Sequence, residues 1–189
     1  MAQKTFAAMP RVTGALRRAP LGTERPTDAS AALDAAYVDL GFIGEDGFTE
    51  ATTRDSDPKR ALGGSIVRVL QTEFGTTVSF IFLESLNLEV LKAVYGDDNV
   101  IVDGATGNVT VKRNKKPLPE SQWVIDLEDG DALDRSDIGR GQITEIGDVQ
   151  RVHSDLVAYE VTITCYEDEN GDTLVGHLFA DHFKTPVGP

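Results

Sequence analysis

Apolar and polar positions alternate with a period of two over most of the chain, the signature of half-buried β-strands. The alternation is clearest in residues 66–73 and 76–83, where Val67, Val69, Val78, Phe80 and Phe82 give the β-branched and aromatic content of a pleated surface. Phe74-Gly75 divides these runs, which together read as a long hairpin. Upstream, residues 33–43 form a first strand candidate, and after the Asp46-Gly47 turn residues 48–53 return antiparallel to it. Downstream, residues 99–102 and 109–113 flank a turn at 103–107, and residues 122–127 make a strand after Pro117 and Pro119. Residues 128–137 read as an acidic loop. Residues 141–146, 156–167 and 174–183 complete the series, the last two joined at Asn170-Gly171, a strong hairpin signal. The period changes to a helical one only at residues 87–95, where Leu88, Leu91 and Tyr95 share a face, Glu89 opens the turn and Gly96 stops it.

Nine or ten strands with one flanking helix predict a mainly β fold, a β-sandwich or open barrel whose outer face the helix covers. Residues 1–30 are rich in Ala, Pro, Gly and Thr without an apolar period, so the expected organisation is an extended N-terminal arm at 1–32, a β-domain at 33–183 and a short tail at 184–189. Between two strand runs lies a stretch of about eleven residues carrying Thr53, Arg54, Asp55, Asp57, Lys59, Arg60 and Gly63. In an otherwise economical β pattern, a charged loop of this length reads as a contact arm.

The chain has 189 residues, 40% of them hydrophobic, enough for one domain with appendages. Its 31 acidic residues against 18 basic ones give a net charge of -13, which argues against a nucleic-acid grip but suits a surface that DNA slides past. Charge is uneven: Lys4, Arg11, Arg17, Arg18 and Arg25 make the start basic, so that it could dock on the acidic body of a neighbouring copy. Cys165 is the single cysteine, which rules out an internal disulfide and reads as a packed thiol. Residues 1–20 contain no continuous apolar segment and nothing reaches the length of a membrane span, so use without secretion is expected. The Asn108-Val109-Thr110 sequon is then a chance match.

Catalytic and metal chemistry find little support. His153, His177 and His182 are the only imidazoles, and the last two, five apart in a strand-like run, point to opposite faces. The acidic run at 126–131 lacks the ligand spacing of a calcium loop, and Gly139-Arg140-Gly141 is a G-x-G without its Rossmann context. No nucleophile elbow, P-loop or H-E-x-x-H occurs, so the expectation is a non-enzyme without a cofactor.

Three stretches carry a family resemblance: Gly14-Ala-Leu-Arg-Arg-Ala-Pro-Leu-Gly-Thr23, Leu33-Asp-Ala-Ala-Tyr-Val-Asp-Leu-Gly41 with its Glu45-Asp46-Gly47 turn, and Leu91-Lys-Ala-Val-Tyr-Gly-Asp-Asp-Asn99. With the order of elements over residues 14–183, they resemble the major tail protein, or tail tube protein, of long-tailed bacteriophages with flexible non-contractile tails, those of actinobacterial phages above all. The resemblance implies a β-sandwich with a flanking helix, six copies closing a ring whose sheets pair edge to edge, and rings stacking into a hollow tube that conducts DNA during genome ejection. It also implies a virion tail protein assembled in the host cytoplasm, with the tape measure, tail terminator and baseplate or distal tail proteins as partners. Double-stranded DNA passes through without specific binding, and no membrane contact is implied.

By the same resemblance the loop at 53–63 reaches an adjacent ring, and the N-terminal arm with Arg11, Arg17, Arg18 and Arg25 bridges subunits. Six copies at -13 each would carry about -78, enough to repel DNA phosphates from an acidic bore. Strand alternation offers Glu50, Glu73, Glu84, Glu145 and Glu160 as lumen candidates. The alternative readings are a carbohydrate-binding β-sandwich of a baseplate or adhesin, which would need a concave aromatic platform although Trp123 and the four tyrosines fall mostly in core-like strand patterns, and a tail connector or terminator.

Overall fold

The computed structural model describes residues 4–12 and 14–184. The strands are β1 (Met9–Pro10), β2 (Leu16–Ala19), β3 (Val38–Asp39), β4 (Thr49–Arg60) and β5 (Ile66–Phe82). Helix α1 (Leu88–Tyr95) follows, then β6 (Val100–Asp103), β7 (Asn108–Val111), β8 (Ser121–Asp129), β9 (Ala132–Ile146), β10 (Tyr159–Cys165) and β11 (Val175–Phe179). Among the described residues nine strands make one sheet in the order β3-β2-β8-β9-β10-β5-β4, with β1 against β8 and β11 against β9; β6 and β7 form a separate hairpin. The mainly β architecture with one helix agrees with the period-two reading.

β9 is the hinge of the fold. Its first half pairs with β8 and β11 and its second half with β10. The shift in register between Ser121 and Trp123 places a bulge in β9, which bends the strand so that both halves face one core. At the bend, Trp123 Nε1 donates to the Gly141 carbonyl at 3.0 Å. A Cβ on Gly141 would meet Trp123 Cδ1, Ile163 Cγ2 and Ile138 Cγ2 at 2.8–3.0 Å, so glycine there is a packing requirement. The core collects Leu16, Trp123, Ile138, Ile143, Val161, Ile163, Val78, Phe80 and Phe82. The sheet remains open: between β2 and β5 the chain after β3 supplies only scattered backbone bonds, among them Leu40 to Leu16 at 3.1 Å and Gly44 to Ile81 at 2.8 Å.

Helix α1 forms where the sequence signals it. The Asn87 side chain accepts from the Glu89 amide at 3.0 Å, and Gly96, at φ 93°, donates its N–H to the Lys92 carbonyl. Val90, Leu91 and Val94 then seal one end of the core.

Several local expectations give way to tertiary pairing. Residues 33–43 yield only the two-residue β3, and β4 pairs with β5 along its whole length instead of returning on that segment. Phe74-Gly75 does not interrupt β5, which runs for 17 residues. The stretch read as an acidic loop at 128–137 is mostly strand, its carboxylates split between the end of β8 and the start of β9 around Gly130. The strands flanking Asn170-Gly171 do not pair with each other: β10 and β11 both bind β9, at different ends. Residues 16–19, placed in an extended arm, are a sheet strand with Leu16 and Ala19 buried. The tail at 184–189 lies outside the described residues beyond Lys184.

Candidate functional site

The segment with Thr53, Arg54, Asp55, Asp57, Lys59, Arg60 and Gly63 is not a loop. Residues 53–60 belong to β4, antiparallel to β5 with bulges after Asp55 and Lys59, and only Ala61 to Ser65 form the tip, closed by a backbone bond at 2.8 Å between those two residues. β10 covers β5 only from Thr76 to Phe82. Residues 66–75 of β5 and their β4 partners therefore project as a bare two-stranded ribbon of about 33 Å. Arg54 stacks over Phe74 at 4.9 Å and donates to Gln71, while Arg60 Nη1 caps the tip on the Gly64 carbonyl at 2.9 Å. Ile66, Val67, Val69 and Leu62 are nevertheless exposed. An isolated hairpin is marginal in water, and its open edges and exposed apolar side chains are those of a contact surface.

The arginines of the N-terminal segment turn inwards. Arg17 donates to Asp126 Oδ2 at 3.0 Å, and Arg11 lies 3.8 Å from Asp126 and 3.7 Å from Glu128. Arg18 forks onto Asp97, donates to Ser121 Oγ at 2.9 Å and lies over Trp123. Arg25 bonds Asp137 at 2.6 Å and also Asp168. Residues 21–36 lie over the back of β2, β8 and β9, where Ala19, Tyr37 and Val124 form a small second core with Leu33. These four cations therefore fasten the N-terminal segment to its own sheet. Burial pushes the Tyr37 hydroxyl up to about 12 and the Cys165 thiol likewise to about 12, so neither is a reactive group near neutral pH.

The five glutamates separate by register. Residues directly opposite in a sheet share a face. Val78, Phe80 and Phe82 face the core, so Thr77, Ser79 and Ile81 face outwards. Glu145 stands in the outward row Thr49–Ser79–Thr162–Glu145, Glu160 opposite Ile81 and Glu73 opposite Asp55. Glu50 pairs with Val78 and so lies on the other face, at the sheet edge. Glu84 is off the sheet, accepting from the Phe42 amide at 3.2 Å and Asn87 Nδ2 at 2.9 Å.

Sequence reasoning missed what joins these acids. The outward face of β4, β5, β10 and the end of β9 is a carpet of hydroxyls, with Ser79 bonded to Thr162 at 2.9 Å and Thr144 to Thr164 at 2.7 Å. On this face Arg140 at the rim turns onto Glu120 at 2.9 Å, and Lys59 and Arg68 stand opposite each other on the distal ribbon, Lys59 bonded to Asp57 at 2.5 Å. The signal was legible as the alternating Glu160, Thr162 and Thr164 of β10, but the alternation does not say which strands lie side by side.

Trp123 is buried and so takes no part in an aromatic platform at the surface. Among the described residues no group of three or more His, Cys, Asp or Glu is placed to hold a metal ion, and no helix is long and apolar enough to cross a membrane.

A family model described as "Phage tail tube protein" matches residues 2–189. No curated protein matches the chain. Among solved structures the chain is similar to one in the sheath-tube complex of an extracellular contractile injection system, PVC, in the extended state, at 8% identity over 90% of this chain and 93% of that one, with a TM-score of 0.45. It is also similar to the tube-terminating cap of the anti-feeding prophage, at 7% identity over 94% and 97% of the two chains, with a TM-score of 0.47.

Proposed function

The chain belongs to the phage tail tube protein family, and on that premise we propose that six copies close a ring by joining sheet edges and that rings stack into the tube of a long non-contractile tail, whose acidic bore conducts DNA. Membership makes the protein a structural component of the virion tail, not an enzyme. In this reading the tape measure, tail terminator and distal tail proteins meet the assembled tube, and assembly takes place in the host cytoplasm.

The observation that carries the reading is the outward face of β4, β5, β10 and the end of β9, with Glu73, Glu145 and Glu160 set among serines and threonines. Within the body of the sheet, around Ser79, Thr162, Glu145 and Glu160, such a face offers a phosphate hydroxyls and carboxylates, and its facing cations Lys59 and Arg68 stand out on the distal ribbon. Repeated around a ring, it would repel DNA and keep it mobile. Asp55 opposite Glu73 supports the same reading: like charges across a strand pair destabilise a hairpin, so their presence favours a role outside folding. β4 is the free end of the sheet, available for strand addition to a neighbour.

The test is electron microscopy of the concentrated protein with a natural tail-initiating complex, followed by DNA retention on the product. Rings or tubes that do not hold DNA at low salt are expected, and the triple variant E73K/E145K/E160K should assemble but retain DNA in a salt-sensitive way. A protein that stays monomeric under these conditions overturns the reading. Tubes of the triple variant that release DNA as freely as the parent overturn the assignment of this face to the bore.

A further inference from the structure

β9 outruns its neighbour β8. The two strands pair as far as Ser121 against Gly141, and beyond that point only β10 stands beside β9. Tyr166 donates its N–H to the Arg140 carbonyl and Gly147 donates to the Glu160 carbonyl, which fixes the alternation along the strand. The backbone groups of Ile143 and Ile146 therefore turn away from β10, to the side where no strand stands. The chain ahead of β8 does not close this edge, because Pro117 and Pro119 carry no N–H to donate; the Gln142 side chain reaches the Leu118 carbonyl instead.

Against the open edge lies a groove of about 640 Å³, walled on the far side by the end of α1 and by residues 112–118. That is within the range of about 300–1,000 Å³ usual for pockets that bury a ligand. Val94, Leu118, Ile146 and Val149 give it an apolar lining, while Lys112, Arg113 and Lys116 stand over it against one carboxylate, Asp148. With Lys115 they place four cations in five residues of a chain whose net charge is -13, and none of the four pairs with a described carboxylate. Arg11, Arg17, Arg18, Arg25, Arg135 and Arg140 all do. Arg113 is held in place without being neutralised. Its Nη2 donates to the Tyr95 hydroxyl at 2.9 Å and its guanidinium lies 5.0 Å over that ring, which rests edge-on against Tyr159. Its other N–H groups remain available to an anion.

We propose that this edge takes an extended acidic peptide of another protein, which adds as a strand to β9 at Ile143–Ile146 and sets its carboxylates against Lys112, Arg113 and Lys116. An extended peptide turns alternate side chains to opposite sides, so apolar residues between the acids reach the lining of the groove. The open backbone selects a peptide over a nucleic acid, whose phosphates would meet the cations but offer no amide ladder to the strand. The groove adjoins α1 on the core side of the sheet, and the inference does not rest on the proposed tube.

The test is the binding of a fluorescent peptide of about eight alternating glutamates and valines, the octamer length of a strand, to the full chain. Anisotropy gives the affinity and hydrogen-exchange mass spectrometry reads the amides. Saturable binding that weakens as salt rises is expected, with the amides of residues 143–146 protected. K112E/K116E changes two exposed side chains and should keep the parent's melting temperature while binding the peptide at least about tenfold more weakly. The same peptide with methylated backbone nitrogens keeps its charge but cannot form the ladder, and should lose at least about tenfold as well. Absence of saturable binding overturns the proposal, and so does binding that leaves those amides unprotected. A single-stranded oligonucleotide that binds as tightly as the peptide would give the cations to phosphate and overturn it. Self-association of the parent that K112E/K116E abolishes would give the edge to a second copy and overturn it too.

Discussion

Arg135 Nε donates to Asp126 Oδ1 at 2.6 Å and its Nη2 to Asp126 Oδ2 at 3.1 Å, joining neighbouring strands β9 and β8 by a two-pronged bond with both side chains almost fully buried. The remaining Arg135 nitrogen, Nη1, donates to the carbonyls of Asp28 and Ala31 at 2.9 and 2.8 Å, and Arg17 adds a third cationic donor to Asp126. One buried carboxylate thus holds two strands and the covering N-terminal segment together.

Replacing Asp126 by Ala should therefore cost about 3–5 kcal/mol, since it leaves buried guanidinium groups uncompensated. The urea unfolding midpoint checks this. A change within about 0.5 kcal/mol, as at an ordinary surface site, would show that the network does not hold the segment.

Asp28 gives a pH dependence. Hydrogen bonds from the Ser30 hydroxyl, then from the Ser30 and Ala31 amides, hold its carboxyl below the ordinary range. A carboxyl depressed on folding contributes stability that is present above the unfolded value of about 3.9 and is lost as pH falls through the folded value. Stability should thus fall on acidification below about pH 4, and Asp28→Asn should flatten that part of the profile. Denaturant midpoints between pH 5 and 2 read the difference, and parallel profiles would count against the assignment.

Gly141→Ala should destabilise by about 1–3 kcal/mol through overpacking, because its Cβ falls within 3.0 Å of Trp123, Ile163 and Ile138. Gly75→Ala, with nothing within 4 Å and no positive φ, should be close to neutral. Thermal melts of the two variants side by side decide the matter, and equal effects would refute the packing argument.

Shortening the ribbon should separate folding from assembly. Thr53 stands opposite Gly75, so replacing residues 54–74 by Asn-Gly closes a two-residue hairpin at that pair. The body should keep its melting temperature within about 4 °C, a change of no more than about 1–2 kcal/mol for a chain of this size, yet form no tubes. Parent-like tubes from this variant would remove the ribbon from assembly.

Helix α1 was legible because its signals are local: Asn87, Glu89, Lys92 and Gly96 act within one or two turns. The β6-β7 hairpin, closed by a short turn, was legible for the same reason. The failures share an opposite cause. Asn170-Gly171 makes a turn, with the Gly171 amide on the Asp168 carbonyl at 3.0 Å, but the strands on either side find better partners on β9. The charges of 53–60 suggested a loop because a strand of a bare ribbon buries neither face, and so has no need of the apolar alternation by which strands are recognised. The N-terminal arginines read as a free arm because their carboxylate partners lie about 80 to 140 positions away.

By itself the sequence determined the period-two character of the chain, its one helix, its acidic charge and its lack of catalytic motifs, all properties of composition and near neighbours. Tertiary structure alone decided which strands lie together, and hence that Glu73, Glu145 and Glu160 share a hydroxyl-lined face while Glu50 does not. A strand's alternation fixes two faces without saying which is inside. Only packing about Trp123 and Gly141, with the bend it imposes on β9, turns one face of each strand to the core and leaves the other to the solvent.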